Sequence, residues 1–435
     1  MFRVSIASLQ WFLFMISNSM IVPIVIASQF HLNAADSIQF LQRTLFILAL
    51  SGLLQVFIGH KYPIMEGPAG VWWGVFSLYA SLGTVLFGSH SETLRVLQFT
   101  LLISGIIAIL MSLLGLIDKL AKYFTPTVTG TYLILLVTQL SGSFLKGMFG
   151  ITETNSAIKL PIALASAAIL LLTFYLLSHR TLNKLSIIIS IGVGWGVFAM
   201  LGLAKPIEFQ AQLFYIPKVF VYGAPRIEWN MVVTAFFVTL ILITNMLASI
   251  RVVESVYKHK GEKIEKDNIK RSGMVSGISQ LLGGLFSGVG AVPISGSGGF
   301  ISATNLYSRV PFIVASCLLL FLSIFTPLTS IMSALPPAVG YAAIFPVFTG
   351  MMALGIGEFK HAKQPEKAMK KAGIALLSGI GVMFLPSQAF STLPPLVTTF
   401  LSNGLVLGTI IILALEISES ISLKRQGARG IKKRS

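Results

Sequence analysis

Charged residues are scarce in this chain. Asp, Glu, Lys and Arg make up 11% of its 435 residues, whereas 54% are hydrophobic, and its mean hydropathy is +0.84. Soluble domains carry roughly a quarter charged residues, and even a very large apolar core would need a charged exterior. The composition therefore excludes an ordinary soluble protein and indicates a membrane protein with many spans.

Cysteine is almost absent as well, because Cys317 stands alone. A single cysteine excludes an intrachain disulfide, a Cys-x-x-Cys pair and a cysteine-based zinc cluster. No histidine forms a recognisable triad with this cysteine or with a serine, and no GxxxxGK[ST] loop is present. We therefore expect neither an enzyme nor an ATP-driven pump, and we expect no cofactor and no metal.

Acidic residues are few, since 15 Asp and Glu stand against 32 Lys and Arg, which gives a net charge of +17. In a soluble chain this excess would suggest nucleic acid as a partner. In membrane proteins, however, basic residues accumulate in cytoplasmic loops. We therefore expect the lipid bilayer, and no nucleic acid, to surround this chain.

Apolar stretches of about 18 to 25 residues, long enough to cross a bilayer as helices, recur along the chain. We predict fourteen spans, at residues 5–28, 38–59, 64–82, 96–117, 123–145, 158–178, 185–204, 229–250, 273–291, 292–307, 310–334, 337–357, 372–389 and 393–415. With these spans, 25 of the 32 basic residues fall on the side that holds both termini. The positive-inside rule then places both termini in the cytoplasm of a multi-pass protein of the plasma or inner membrane.

A basic run from Lys258 to Arg271 separates the spans into two sets of seven. Consecutive sets with an odd number of spans face opposite ways, as in inverted-repeat transporters, which bind substrate between broken helices near the membrane centre. We predict an all-α membrane protein with a first repeat at 1–205, a second repeat at 228–417 and a basic cytoplasmic tail at 418–435.

The third span of each half is interrupted by Gly and Pro, at Pro63 to Gly74 in the first half and at Pro293 to Phe300 in the second. Both residue types disfavour helix. Extended backbone at membrane depth persists only where protein or a hydrated cavity pairs its polar groups. We therefore expect short extended segments in spans 3 and 10 that line a transport site. The alternative is close helix packing through small residues of the GxxxG kind.

Two motifs carry a resemblance to a known family. The first span contains Gln10-Trp11 and continues to Pro23, and the tenth contains Ser295 to Gly299 and leads to Arg309. In these motifs, in length and in number of spans, the chain resembles the nucleobase/ascorbate transporter family, which includes bacterial uracil and xanthine permeases. The resemblance implies a core domain of spans 1–4 and 8–11, a gate domain of spans 5–7 and 12–14, and proton- or sodium-coupled uptake of a planar base.

The resemblance also implies a set of substrate-binding residues. By position the base would meet the backbone around Ala69, Gly70 and Trp72, the side chains of Asn245 and Ser249, and the turn formed by Ser295, Gly296, Ser297 and Gly299. Phe345 and Phe348 of the gate domain could close over it. The chain departs from the family at Asn245, where many members have Glu, at Gly296, where they have Glu or Gln, and at Trp11, where they have His.

Asn245 has the chemistry that a nucleobase needs, because its carboxamide offers one donor group and one acceptor to the alternating edge of the base. An amide in an apolar span is costly unless it finds partners, and a hydrogen bond to another helix is the alternative role. Gln10 holds the equivalent place in the first half, so we expect the two carboxamides to form the polar core of the site. Trp72, Trp73 and Phe300 are candidates for stacking on the base, and for Trp73 a lipid-facing position is the alternative.

Glu66 is the candidate for proton coupling, because it is the one acidic residue inside an interrupted span. Ionisable groups at membrane depth are the usual proton carriers. The alternative is an interfacial glutamate paired with Lys61 or with solvent. In that case the protein would be a facilitator, or would couple to an ion held by backbone carbonyls.

The sequence thus favours a permease that moves a nucleobase, with purine or xanthine preferred over uracil, by an elevator or rocking mechanism as a proton- or cation-coupled symporter. A homodimer is compatible with this assignment. An anion transporter or channel of the sulfate-permease type is the main alternative, because it shares the seven-plus-seven plan and would bind its anion at helix amide ends without carboxylates. A membrane sensor that does not transport is the second alternative.

Overall fold

The computed structural model describes residues 2–121, 123, 125–151, 157–179, 182, 186–204, 206–263, 268–390, 401 and 404–432. The described chain is mostly α-helical and contains two strands of three residues each.

The first half contains α1 (Phe2–Ser19), α2 (Ile21–Gln29), α3 (Ala34–Phe57), β1 (Glu66–Pro68), α4 (Gly70–Phe87), α5 (His90–Leu113), α6 (Leu116–Ala121), α7 (Pro126–Met148), α8 (Leu160–Ser178) and α9 (Ser186–Met200). The second half contains α10 (Asn230–His259), α11 (Ile269–Leu285), β2 (Ala291–Pro293), α12 (Gly296–Thr304), α13 (Arg309–Ile324), α14 (Thr326–Ser333), α15 (Pro337–Glu358), α16 (Pro365–Met383) and α17 (Gly404–Lys432). Two short 3₁₀ turns lie at Phe359–His361 and Ser387–Phe390.

Many of these helices are suited to a bilayer. Within the described ranges, eight are long and apolar enough to cross a membrane: Val4–Gln29, Ala34–Phe57, His90–Leu113, Pro126–Met148, Leu160–Ser178, Asn230–Lys258, Pro337–His361 and Gly404–Ser422. The shorter apolar helices Ile189–Met200 and Arg309–Ile324 fall at further predicted spans. The chain is therefore a mostly helical membrane protein, and the count of fourteen spans stays a prediction.

Some predicted limits differ from the helix ends. Predicted span 8 ends at 250, whereas α10 continues to His259. Predicted span 11 is divided into α13 and α14 at Phe325, which is extended with φ −91° and ψ 97°. The physical reason is Pro327, which has no N–H to continue the helical hydrogen bonds across this point.

At the C-terminus, α17 extends beyond predicted span 14 as one helix as far as Lys432. The assignment of 418–435 to a basic cytoplasmic tail stays a prediction. The start of predicted span 14, at 393, lies outside the described residues.

Contacts between Cα atoms divide the chain into two compact units. Unit 1 comprises residues 1–117 and 141–347, and unit 2 comprises residues 118–140 and 348–435. Each unit draws residues from both predicted repeats. The assignment of spans 5–7 and 12–14 to a gate domain stays a prediction.

Glycines allow close helix contacts inside unit 1, between α5 and α11. A Cβ added to Gly105 would lie 2.7 Å from the carbonyl oxygen of Gly277, and one added to Gly277 would lie 2.8 Å from that of Gly105. Small residues at such crossings let two backbones approach, which is how helices associate in membranes.

In unit 2, glycines also allow a close helix contact, between α16 and α17. A Cβ at Gly379 would lie 2.5 Å from the carbonyl oxygen of Gly404. At the other end of the same helix pair, Lys371 forms ion pairs with Glu416 and Glu419. Glycine packing and a charge cluster therefore fix these two helices together.

Residues 206–229 connect α9 to α10. We name them the strap, and within unit 1 they are hydrogen-bonded to α5. Arg95 donates from Nε to the carbonyl oxygen of Ala224 at 2.8 Å. Gln98 donates from Nε2 to the carbonyl oxygen of Gly223 at 3.0 Å. The strap therefore lies against the N-terminal part of α5.

Candidate functional site

The two strands pair with each other in the interior of unit 1. Three residue pairs define the antiparallel register: Glu66 with Pro293, Gly67 with Val292, and Pro68 with Ala291. The ladder continues at both ends, where the amide of Ala69 donates to the oxygen of Gly290 and the amide of Ile294 donates to the oxygen of Met65, both at 2.9 Å. This pairing satisfies backbone groups that water cannot reach at membrane depth. Close helix packing, the alternative considered for these segments, does not describe these strands.

Each strand leads directly into a helix. α4 begins at Gly70, after Ala69, and α12 begins at Gly296, after Ser295. Neither preceding residue caps its helix with a side-chain hydrogen bond. The first amides of an α-helix have no partner inside the helix, and they favour an electron-rich group at that end. The strand pair thus leads into two helix N-termini that lack side-chain caps, one from each half of the chain. At α12 the amides of Ser297 and Gly298 already have backbone acceptors, so Gly296 offers the amide at that end.

The glycine cluster is placed differently from the prediction. Ser295 to Gly299 are predicted as an extended turn, but the helix begins there: the amides of Ser297 and Gly298 donate to the oxygens of Ile294 and Ser295 at 3.0 Å. The break in span 10 therefore precedes the glycines. The extended portion is Ala291–Pro293, because Pro293 terminates it and no proline follows to prevent the helix.

One face of α12 is open. A Cβ added to Gly299 would meet no heavy atom within 4 Å, and one added to Gly296 would meet only Ile294, at 3.5 Å. These two glycines are three residues apart and share a helix face. Gly298 lies on another face, where an added Cβ would be 2.7 Å from Val252. The Gly296 and Gly299 face therefore has space beside it.

Asn245 and Ser249 lie one turn apart on α10, with Asn245 7% exposed. The hydroxyl of Ser249 donates to the carbonyl oxygen of Pro293 at 2.7 Å, so Ser249 holds β2 in place. The same hydroxyl lies 3.5 Å from Oδ1 of Asn245, a long contact. Among the described residues this is the one hydrogen-bonding contact of Asn245, which leaves most of its carboxamide capacity available.

Ser297 has a positioning role as well, because its buried hydroxyl accepts a hydrogen bond from the amide of Met65 at 3.0 Å. Trp72 is fully buried, and its indole N–H donates to Oε1 of Gln280 at 2.7 Å. Gln280 in turn donates from Nε2 to the oxygen of Ala291 at 2.6 Å. The ring of Trp72 is thus part of the packed support of the site in this conformation.

Gln280 carries no motif that marks it as a site residue in the sequence. The available signal was a glutamine in the apolar end of span 9, between Ser279 and Leu281. A buried carboxamide must find partners for both of its ends, and Gln280 does so by joining α11 to α4 and to β2.

Gln10 is half-buried on α1, and no hydrogen bond joins it to Asn245 in the described part of the chain. Its neighbour Trp11 is fully buried, with its ring centroid 4.5 Å from that of Phe300. Phe300 also stacks on Phe14 at 4.4 Å. The first span therefore contributes an aromatic cluster with α12, and the expected pair of carboxamides is not in contact.

Trp73 is buried, so the lipid-facing alternative for this residue is wrong. Its ring stacks on that of Tyr341 with the planes 5° apart and the centroids separated by 6.2 Å. Phe345 meets Phe144 edge to face at 6.3 Å, and Phe144 also contacts Tyr341. Phe345 thus belongs to an aromatic group with Trp73, within unit 1. Phe348, further along α15, falls in unit 2.

Glu66 is 3% exposed, and neither carboxylate oxygen has a hydrogen-bond partner within the described ranges. No ion pair joins it to Lys61 there. The alternative of an interfacial glutamate paired with Lys61 or with solvent is therefore wrong, because the side chain is buried and unpaired.

The chain that forms these two strands and two helices also matches a known protein family. Residues 2–388 match the family model Xan_ur_permease, whose description is "Permease family". The chain belongs to the xanthine/uracil permease family.

Several relatives resemble this permease over nearly its full length. YwdJ of Bacillus subtilis (strain 168), provisionally named a purine permease, is 37% identical over 420 residues, which is 95% of each chain. The uric acid permease PucJ of the same organism is 24% identical over 440 residues and covers 98% of this chain and 94% of its own. A xanthine permease of that organism is 21% identical over 430 residues, with coverages of 96% and 93%.

Solved structures share the fold of this permease. The transmembrane domain of a cyanobacterium bicarbonate transporter, BicA, superimposes with a TM-score of 0.59 at 14% identity, covering 94% of this chain and 97% of that one. The murine anion transporter Slc26a9 in the inward-facing state gives a TM-score of 0.63 at 13% identity, with coverages of 95% and 68%. At these identities the likeness concerns the fold alone.

Proposed function

We propose that this permease carries a purine base, of the xanthine or uric acid class in preference to uracil, and binds it where β1 and β2 lead into α4 and α12. The observation that carries the proposal is the pair of helix N-termini without side-chain caps, at Gly70 and Gly296, that follow the paired strands. Purine, uric acid and xanthine are the substrate names of the relatives that match the chain over nearly its full length.

The chemistry of the site suits an oxidised purine. Such a base has carbonyl oxygens that a helix N-terminus attracts, and ring N–H groups that need acceptors. The carboxamide of Asn245 offers both an acceptor and a donor, and its one protein contact is long. The open face at Gly296 and Gly299 supplies room beside the polar groups.

The proposal includes the finer features that the sequence predicts. The fourteen spans form two inverted repeats, both termini lie in the cytoplasm, and the core moves against the gate in an elevator or rocking motion. Coupling to a cation provides the driving force. The apolar helices, the pairing of segments from both halves and the charge asymmetry of the loops support this arrangement.

A competition assay in proteoliposomes tests the substrate class. Uptake of labelled xanthine is measured alone and with excess unlabelled uric acid, adenine, uracil or sulfate. We expect uric acid to compete most strongly, uracil weakly and sulfate not at all. Absence of xanthine uptake, together with uptake of labelled sulfate by the same vesicles, would instead establish an anion transporter, which the two helix N-termini could also serve.

A further inference from the structure

The carboxyl group of Glu66 is buried beside the strand pair without a partner among the described residues. It lies on β1, directly opposite Pro293, and both of its oxygens are buried without a hydrogen-bond partner in the part of the chain that the structure describes. An ionised carboxylate that is buried with neither a counter-charge nor hydrogen bonds is far less stable than a protonated one. The geometry therefore favours a neutral carboxylic acid at this position in the conformation described.

Among the described residues, no charged side chain forms an ion pair with Glu66. The main elements packed against β1 are α1, α3 and β2. Their ionisable residues are Arg3 at the start of α1, Asp36 in the first turn of α3, and Arg43 further along α3. Arg43 donates to the hydroxyls of Tyr222, at 2.9 Å, and Tyr215, at 3.5 Å. Asp36 accepts from the side chain of Asn33 at 2.8 Å.

The loop before β1 contains His60, Lys61 and Tyr62, which are near Glu66 in the sequence. His60 Nδ1 accepts from the amide of Tyr62 at 3.1 Å. Burial, and then the positive charge of Arg309, lower the pKa of His60 to about 3. His60 is therefore neutral throughout the physiological pH range and supplies no charge to the site. Lys61 forms no ion pair within the described ranges.

Glu66 is connected to the groups that hold the site. Its strand neighbour Met65 donates to Ser297 on α12. Its partner across the ladder, Pro293, accepts from Ser249, one turn from Asn245 on α10. A change in the charge of Glu66 would require new polar partners within this network, because a buried carboxylate cannot remain unpaired. Protonation and the arrangement of the strand pair are thus linked.

We propose that Glu66 is the proton-binding carboxyl that couples substrate movement to the proton gradient, an inference that rests on the proposed permease function. On the outer side a proton from the medium bonds to a carboxylate oxygen, which leaves a neutral acid. The loaded and protonated site then reorients. On the inner side the O–H bond breaks, the proton passes to the cytoplasm and substrate leaves. No redox step is involved.

Two transport modes in proteoliposomes separate coupling from binding. Counterflow exchanges labelled for unlabelled xanthine and needs no net proton movement, whereas accumulation depends on an imposed pH gradient, inside alkaline. With one proton per substrate, a gradient of about one pH unit supports up to about tenfold accumulation. We expect Glu66→Gln to retain counterflow and to lose this accumulation and the pH dependence of uptake. Glu66→Asp keeps a carboxyl group and should retain counterflow, accumulation and the pH dependence of uptake.

Glu254→Gln is the matched control, because Glu254 pairs with Arg251 near the cytoplasmic end of α10 rather than in the site. It should accumulate xanthine as the native chain does. If Glu66→Gln fails to insert, the same measurements are made on Glu66→Asp and Glu66→Asn. These two variants have side chains of equal length, and only the aspartate can bind a proton.

Full gradient-driven accumulation by Glu66→Gln would overturn the role of Glu66 while leaving the permease function intact. Absence of xanthine counterflow in the native chain would instead contradict the proposed function. The two failures are therefore distinguishable in one set of vesicles.

Discussion

The indole N–H of Trp72 donates a 2.7 Å hydrogen bond to Oε1 of Gln280, and Nε2 of the same glutamine donates to the carbonyl oxygen of Ala291 at 2.6 Å. One carboxamide therefore joins the first turn of α4 to strand β2. Because these elements come from opposite halves of the chain, Gln280 fixes the geometry in which the two helix N-termini face the site.

Replacing Gln280 by Leu should loosen the site. The substitution leaves the indole N–H of Trp72 and the carbonyl oxygen of Ala291 without this partner. Each unsatisfied buried group costs about 1–3 kcal/mol. We expect a lower melting temperature in detergent and weaker xanthine binding. Trp72→Phe removes only one of the two bonds and should have a smaller effect on both measurements. Equal melting temperatures for Gln280→Leu and the native chain would show that the glutamine does not support the strand.

Asn245→Leu should reduce xanthine affinity while the protein still inserts and folds. Loss of two hydrogen bonds of about 1 kcal/mol each corresponds to roughly a 10- to 100-fold rise in Kd. Thr244→Val is the matched control, since the hydroxyl of Thr244 bonds to the oxygen of Leu240 in its own helix. Unchanged xanthine binding by Asn245→Leu, measured by titration calorimetry, would remove Asn245 from the site.

Gly299→Val and Gly298→Val should differ sharply despite being neighbours. An added side chain at Gly299 enters open space, so this variant should fold normally and lose xanthine uptake by occupying the site. At Gly298 the new Cβ meets Val252 at 2.7 Å, and overpacking of this kind costs about 1–3 kcal/mol. Melting temperature and uptake are measured for both, and full uptake by Gly299→Val would place that face away from the substrate.

Tyr222→Phe should destabilise the strap. The guanidinium of Arg43 is buried and donates to Tyr222 at 2.9 Å, whereas its contact with Tyr215 is longer, at 3.5 Å. Hydrogen bonds to a charged group contribute about 1.5–3 kcal/mol. Thermal unfolding should therefore shift more for Tyr222→Phe than for Tyr215→Phe. Equal shifts would contradict the assignment of Tyr222 as the main partner.

Much of the fold can be predicted from apolar length and from glycine and proline. The long runs that become α3 and α10 are visible in the sequence, because a helix in lipid must be apolar over its whole length. The interruption near Glu66 is visible too, and so is its counterpart before Gly296. The pairing of the two strands cannot be predicted in this way. Hydrogen bonds between Glu66–Pro68 and Ala291–Pro293 depend on how segments that are distant in sequence pack together.

The site is harder to predict for a similar reason. A glycine cluster disfavours helix by propensity, yet Gly296 begins one, since tertiary contacts such as that of Ser297 with Met65 outweigh the propensity. Gln280 carries no motif, and its role depends on two partners that are far away in sequence. Glu66 is conspicuous in the sequence, but its lack of partners is a property of the folded chain.

A cryo-EM structure of the permease with bound xanthine would show directly where the base binds. We predict density for the base within hydrogen-bonding distance of the Asn245 carboxamide, of the first amides of α4 and of the Gly296 amide, beside the open face at Gly296 and Gly299. Density for xanthine elsewhere, with these groups out of its reach, would contradict the central claim.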